Sequence, residues 1–368
     1  MRVLVVIGTR PEAIKMAPVI RELLRREDSI EVRVCLTAQH RELLDQVIRL
    51  FTLPVDHDLD VMAPDQSITQ VTTSVLTGLG RVLATERPEI VLVHGDTTTS
   101  FAAALAAFYQ KIPVGHVEAG LRTYTRYSPF PEEMNRRLCD ALCTYHYAPT
   151  AGARENLLRE HLLPEHIVVT GNTVIDALLH TAAQPCTFTD PVLEGLGRER
   201  RLLLVTAHRR ESFGAPFRAI CTAIRDLVAR HEDLEVVYPV HPNPQVQRTV
   251  YEMLAGIERV HLVEPLEYLP FVHLMKKSHL ILTDSGGIQE EAPSLRKPVL
   301  VMREVTERPE AVAAGVVQLV GVAYDAIVKG VERLLGDEGA YRRMASGANP
   351  YGDGHASARI AEHLAGLQ

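Results

Sequence analysis

The sequence predicts an α/β protein built as two doubly wound parallel-sheet domains. Three observations predict it. Short continuous apolar runs, at 3–7, 90–94, 202–206, 280–283 and 299–302, alternate with longer segments of helical periodicity. Such runs read as strands covered by helices on both faces. The connections are short, as strand–helix alternation in one layer requires. Polar residues with useful chemistry recur just past the strand ends, where the ligand crevice of a doubly wound sheet lies.

Taken in order, 3–7 is a buried strand and 8–11 its turn, with Pro11 suited to a first helical position. A helix follows over 12–26. The next strand is 31–37 and the next helix 41–51. A helix at 67–85 leads to strand 90–94, which ends at Gly95-Asp96-Thr97. An Ala-rich helix over 98–110 precedes a short strand, 114–117, ending at Glu118. Residues 136–142 lie in a helix that opens near Pro131, and 145–148 is a strand. Strand 167–170 ends at Gly171-Asn172. The polar, Gly/Pro-marked stretch 185–201 reads as a linker region. The second half repeats the alternation: strand 202–206, helix 216–231, strand 235–239, then strands 260–263, 280–283 and 299–302 with helices between. A last helix occupies 356–364. The expected domains are 1–171 and 172–350, with 351–368 returning to pack on the first.

The chain has 368 residues, 46% hydrophobic and 23% charged, with no Trp and a net charge of −7. That composition suits a soluble globular protein of two ordinary domains. No basic face or tail stands out, so no nucleic-acid partner is expected. No segment approaches the length of an apolar membrane span. The apolar start of the chain reads as a buried strand, not a signal peptide. Cys35, Cys139, Cys143, Cys186 and Cys221 show no CxxC pair and no zinc-ligand spacing, so no metal is expected and the thiols read as reduced in a cytoplasm.

The stretch 281–293, ILTDSGGIQEEAP, carries the clearest chemistry. A strand end reaches Asp284, Ser285-Gly286-Gly287 makes a tight turn, and a helix begins. Exposed N–H groups and the helix dipole point at whatever lies over such a turn, and glycine lets a phosphate approach the backbone. Glu291, near the mouth of that helix, is free to accept from hydroxyls such as those of a ribose. Arg10, Asp96, Glu118, His208, His241 and Ser285 all fall near strand ends and are expected to face one crevice between the domains. His94 and His116 taken singly read as packing residues. Asp56-His57-Asp58-Leu59-Asp60 has a D-x-D spacing but reads as a solvated acidic loop. Gly78-Leu79-Gly80 sits inside a helical pattern and is no dinucleotide fingerprint.

The motifs GTRPEAIKMAP (8–18), AQHRELLDQV (38–47), VHGDTTTS (93–100), HVEAGLRT (116–123), PFPEEMNRR (129–137), TAHRRESFG (206–214), HPNP (241–244), PLEYLPFVHLM (265–275), TDSGGIQEEAP (283–293) and ERPEAV (307–312) resemble, from end to end, the non-hydrolysing UDP-N-acetylglucosamine 2-epimerases. The resemblance implies a GT-B fold with the active site in the cleft between two Rossmann-like domains. It implies reversible conversion of UDP-GlcNAc to UDP-ManNAc without a nicotinamide cofactor, and a homodimer. Lys15 and Arg136 belong to the implied site, Phe271 to the segment holding uracil through its backbone, and Glu291 to the ribose. Gln39, His40, Arg209 and His241 resemble parts of a second, activating UDP-GlcNAc site. Some members carry a basic residue where Asp65 falls, which puts that activation in doubt for this chain. UDP-ManNAc points to cell-surface polysaccharide.

The residues fit the chemistry independently. Inverting C2 is feasible if UDP leaves first, giving a 2-acetamidoglucal, and is added back with the proton on the other face. That route needs a phosphate cradle and acid/base groups. The SGG turn, Arg10 and Arg308 are candidates for the cradle. Asp96, Glu118 and Glu132 are candidates for proton transfer, with His208 stabilising or protonating the departing diphosphate. Which carboxylate serves which face is open. Ion pairing of Glu118 and Glu132 with Arg122 and Arg136 is the structural alternative. A hydrolysing epimerase, releasing ManNAc and UDP, and a GT-B glycosyltransferase or UDP-sugar-binding protein are the competing functions. Closure of the two domains over the reactive glycal is expected.

Overall fold

A computed structural model describes residues 1–37, 41–61, 63 and 66–367. The chain divides into two compact units, Met1–Ala177 with Tyr351–Gln368, and Leu178–Pro350. Among the described residues no helix is long and apolar enough to cross a membrane.

In the first unit the elements run β1 (Arg2–Ile7), α1 (Arg10–Leu24), β2 (Glu31–Leu36), α2 (Arg41–Phe51), β3 (His57–Asp58), α3 (Ile68–Glu86), β4 (Ile90–His94), α4 (Thr98–Tyr109), β5 (Val114–Val117), α5 (Glu132–Leu142), β6 (Tyr145–Ala148), α6 (Ala151–Arg159) and β7 (Ile167–Val169), and α7 (Thr173–Ala183) begins in it and ends in the second. Seven parallel strands lie in the order β3-β2-β1-β4-β5-β6-β7. Strand order reverses between β1 and β4, so the crevice beyond their carboxyl ends is the expected ligand position.

Glu12 builds that edge. Thr9 caps α1, and Glu12 Oε2 accepts from the Thr9 amide at 2.6 Å and the Gly8 amide at 2.9 Å, a capping box. Its Oε1 accepts from Thr97 Oγ1 at 2.6 Å and Ser100 Oγ at 2.9 Å. One buried carboxylate thus ties the turn after β1 to the turn after β4. Gly8 is required there, because a Cβ would sit 2.3 Å from Thr99 Oγ1.

The residues 56–60, expected as a solvated acidic loop, include β3. Its two residues pair with Cys35 and Leu36 of β2. Asp56 is tied down as well, accepting from the Val34 amide at 2.8 Å and pairing with Arg33.

The second unit holds α8 (Pro191–Gly195), β8 (Arg201–Thr206), α9 (Ala215–Arg230), β9 (Leu234–Pro239), α10 (Pro244–Leu254), β10 (Val260–Val263), α11 (Tyr268–Lys277), β11 (Leu280–Thr283), α12 (Gly286–Glu291), β12 (Val299–Val301), α13 (Pro309–Ala313), β13 (Val317–Leu319), α14 (Tyr324–Gly336) and α15 (Glu338–Ser346). Six parallel strands lie in the order β10-β9-β8-β11-β12-β13, reversing between β8 and β11. Leu203, Val205, Leu280, Leu282 and Leu300 pack with Phe217, Ile220 and Ile224 of α9 in a core on one face of the sheet.

The final helix, α16 (Ala356–Ala365), belongs to the first unit. Asp176 Oδ1 accepts from the Ser357 amide at 2.8 Å and Oδ2 from the Ala356 amide at 3.2 Å, satisfying amides at its start. Tyr147 Oη lies 3.1 Å from His363 Nδ1 on the same helix.

Candidate active site

In the first unit Glu118 follows β5 directly, buried, with φ of +65°. A non-glycine residue in that left-handed region is costly and persists only where its surroundings hold it. The holding groups are plain. Lys15 on α1 donates to Glu118 Oε2, and Asn172 Nδ2 donates to the same oxygen at 2.8 Å. His94 Nε2, buried at the end of β4, stands 3.7 Å from it, within ion-pair reach but beyond hydrogen-bond length. Burial pushes the Glu118 carboxyl up, yet Lys15 and His94 hold it well below the usual range. Glu118 is therefore a buried, ionised acceptor.

Asp96 pairs with Arg136 of α5, and Asn135 of the same helix donates to the Asp96 carbonyl at 2.9 Å. Glu132 opens α5, and its Oε2 is buried with no hydrogen-bond partner among the described residues. Its neighbour Glu133 is fully committed, accepting from the Thr123 and Tyr124 amides at 2.9 and 3.1 Å.

Beneath these residues His116 Nδ1 lies 2.6 Å from Asp140 Oδ1 and Nε2 lies 2.7 Å from the Gly95 carbonyl. Both contacts are to acceptors, so the ring carries two protons. Burial opposes that charge, but Cys139 and Asp140 raise the imidazole well above its ordinary value. His116, Cys139 and Cys143 bring ligand-type atoms within 4.8 Å of one another, a grouping their spacing did not suggest. With both His116 nitrogens occupied, no imidazole lone pair is left for a metal.

In the second unit Asp284 follows β11 directly and organises the turn after β8. Its Oδ2 accepts from the His208 and Arg209 amides at 2.7 and 2.8 Å. His208 Nδ1 lies 3.2 Å from Asp284 Oδ1 without hydrogen-bond geometry, and the ring stacks on His241 at 5.1 Å. Burial lowers the His208 pKa, and neighbouring His241 and Arg209 add to this against the pull of Asp284. The unliganded ring is neutral near pH 7; an arriving diphosphate would favour its protonation.

Ser285 leads into α12. Among the described residues, apart from its own neighbours and helix backbone, no atom lies within 4 Å of a Cβ built at Gly287, and at Gly286 the nearest is Arg209 Nη2 at 4.0 Å. Among the described residues the turn is open on the side where the glycines lie, and the buried Arg209 Nε has no hydrogen-bond partner. A glycine turn at a helix start with a guanidinium beside it can accommodate an anion.

The model of the UDP-N-acetylglucosamine 2-epimerase family matches residues 22–365. The chain belongs to that family. It is 54% identical to the UDP-N-acetylglucosamine 2-epimerase of Escherichia coli K12 over 377 aligned positions, covering 99% of this chain and 98% of that one. The crystal structure of UDP-GlcNAc 2-epimerase from Neisseria meningitidis, bound to UDP-GlcNAc, superposes with a TM-score of 0.89 at 51% identity over 99% of both chains. The structure of UDP-GlcNAc 2-epimerase from Methanocaldococcus jannaschii gives a TM-score of 0.83 at 33% identity, over 99% of both chains. The GT-B type of fold expected from the sequence is that of these epimerases.

Several expectations meet different surroundings in the structure. Glu291 is not free: it is buried, and Tyr268 Oη donates to its Oε1 at 2.7 Å. Glu118 and Glu132 do not pair with Arg122 and Arg136. Arg122 instead joins Asp140 and Glu160, and Arg136 joins Asp96. Arg308 pairs with Glu290 on α12. The Phe271 amide already donates to the Glu267 carbonyl at 3.0 Å. Arg209 lies at the SGG turn and His241 against His208. Gln39, His40 and Asp65 fall outside the described residues. Arg10 opens α1, one residue past its Thr9 cap. Asn172 and Tyr268 were missed as partners of carboxylates, although Asn172 stands at a strand end already noted and Tyr268 in the 265–275 motif.

Proposed function

We propose that this epimerase-family chain interconverts UDP-GlcNAc and UDP-ManNAc by inverting C2 of the sugar. The C2–H electron pair becomes the C1–C2 double bond of a 2-acetamidoglucal, the proton passes to a carboxylate, and the C1–O pair leaves with UDP. Re-addition of UDP with the proton on the opposite face completes the inversion. The observation that carries this reading is Glu118, a buried ionised acceptor kept in a strained backbone conformation by Lys15 and Asn172. Its Oε2 is saturated by those donors, leaving Oε1 for proton transfer.

Asp96 and Glu132 are the further acid/base groups. Arg136, paired with Asp96, orients that carboxylate. In the second unit Ser285, Gly286 and Gly287 hold the diphosphate, with His208 and Arg308 as further partners. Glu291, steadied by Tyr268, accepts from the ribose. The same reading carries a homodimer, a cytoplasmic setting and supply of UDP-ManNAc to cell-surface polysaccharide.

Product analysis tests it. Incubation with UDP-GlcNAc should give a stable mixture of two UDP-sugars from either side. Accumulation of free ManNAc and UDP would move the chain to the hydrolysing class. No turnover without an added acceptor would leave a transferase or a UDP-sugar-binding protein.

A further inference from the structure

The second unit carries a polar cavity of about 360 Å³ at the end of its sheet opposite the SGG turn. Arg201 opens β8, His279 immediately precedes β11 and Lys297 stands two residues before β12, so the lining gathers at the amino ends of the strands. Ser285 and His208 follow the carboxyl ends of the same sheet. The two places are thus separated by the length of the strands.

The charge of this cavity is unlike that of the chain. Five Lys or Arg residues line it against two acids, Glu199 and Asp233, in a protein of net charge −7. Some of these cations are already committed. Arg201 donates Nη1 to the Leu335 carbonyl at 2.7 Å and pairs through Nη2 with Asp233 at 2.6 Å. Lys277 Nζ donates to the Leu193 and Glu194 carbonyls.

Three groups remain unused. Arg201 Nε is buried with no hydrogen-bond partner among the described residues. Lys297 is half-buried and has no hydrogen bond from its ammonium and no carboxylate partner among the described residues. His279, stacked on Tyr341 at 4.3 Å, has no ring hydrogen bond among them either. Burial lowers the pKa of both Lys297 and His279, and Arg201 and Lys297 lower that of His279 further. A lysine ammonium gives up hydration when partly buried, and without a compensating anion it normally turns out to solvent. An uncompensated ammonium and an imidazole, lining one cavity beside the Arg201 guanidinium, suit an oxyanion with several acceptor oxygens.

We propose that this cavity is a second anion site, binding a phosphate group either as free phosphate or as the end of a phosphorylated small molecule, with Lys297 as its principal charge. Phosphate matches the set better than a carboxylate, because it offers acceptors in three directions to donors on three segments. Nothing in the proposal depends on the epimerase chemistry.

The test is calorimetric titration of the full-length protein with inorganic phosphate, with and without saturating UDP. The account predicts one Lys297-dependent site per chain that UDP leaves unchanged, and perturbation of the His279 ring resonances by phosphate. Lys297→Met should weaken this binding by roughly ten-fold or more. Lys297→Gln, milder in shape, should weaken it similarly, and circular dichroism verifies that both variants fold. Glycerol 3-phosphate in a parallel titration distinguishes the sources: tighter binding than phosphate assigns a phosphorylated metabolite, equal binding assigns free phosphate. No binding of either up to about 10 mM, equal binding by both Lys297 variants, or loss of the heat on adding UDP would overturn the proposal.

Discussion

Asn172 donates its side-chain amide to Glu118 Oε2 over 2.8 Å, linking the turn after β7 to the end of β5. Its own Oδ1 accepts from the Val174 amide at 3.1 Å, so the amide is oriented before it reaches Glu118. With Lys15 on the same oxygen, two donors from different elements fix the orientation of the Glu118 carboxylate.

Asn172→Ala should therefore act on kcat. A carboxylate that swings by about 1 Å costs on the order of 10²-fold in rate. The variant is expected to lose about that factor in kcat with KM little changed, measured by steady-state kinetics on UDP-GlcNAc. An unchanged kcat would remove Asn172 from the positioning of Glu118.

Asp96→Asn keeps the shape of the side chain and one acceptor for Arg136, but removes the charge. Turnover should fall by about 10³-fold or more, the range of a lost acid/base group. UDP affinity, read by calorimetry, should stay within about two-fold, because the charge acts on the reacting sugar and not on the nucleotide.

Two glycines should behave oppositely. Gly8→Ala places a methyl group 2.3 Å from Thr99 Oγ1 and 2.8 Å from Thr37 Oγ1, and overpacking of this kind costs about 1–3 kcal/mol. Gly287→Ala meets no atom within 4 Å and replaces a helical glycine, so thermal stability should be equal or slightly higher. UDP binding by Gly287→Ala should nevertheless weaken by about ten-fold, since the methyl group enters the space assigned to phosphate. Thermal unfolding and UDP titration of both variants check the pair.

The His116–Asp140 pair sets a pH window for stability. Burial pushes Asp140 up, but His116 and Arg122 bring it down to about 2 from an ordinary 3.8. Its contribution is present above 3.8 and is lost as pH falls toward 2, a loss of about 2 kcal/mol. His116, raised above 6.5, contributes fully below that value and loses its contribution as pH rises through the higher folded pKa. The two shifts describe one interaction and are not added. Because the chain has no Trp, far-ultraviolet circular dichroism in denaturant is the suitable probe. Asp140→Asn should be less stable near pH 6 and should show a shallower acid-side slope, with Glu118 and Asp353 supplying the remainder.

The long strands were legible because a parallel sheet covered on both faces needs uninterrupted apolar residues, as in 3–7, 90–94 and 280–283. β3 and β13 were not legible. β3 is two residues at a sheet edge, and β13 is three residues with Gln318 at its centre, too short for any periodicity. Residue types at strand ends identified the candidate site positions, since only a crevice explains so many of them there. Their partners were another matter. Spacing offered Arg122 to Glu118, four residues away, whereas the fold supplies Lys15, 103 residues away on α1. Glu291 was read as open to a ligand because its neighbour Tyr268 lies 23 residues earlier. Side-chain pairs across elements depend on how helices cross the sheet, and that information is not in local pattern.

The most direct test is proton NMR of UDP-GlcNAc incubated with the protein in D₂O. The account predicts growth of a UDP-ManNAc anomeric signal to a fixed ratio, with deuterium entering C2 of both nucleotide sugars. Epimerisation with the C2 proton fully retained would contradict proton transfer to Glu118 or any other carboxylate, and with it the elimination route.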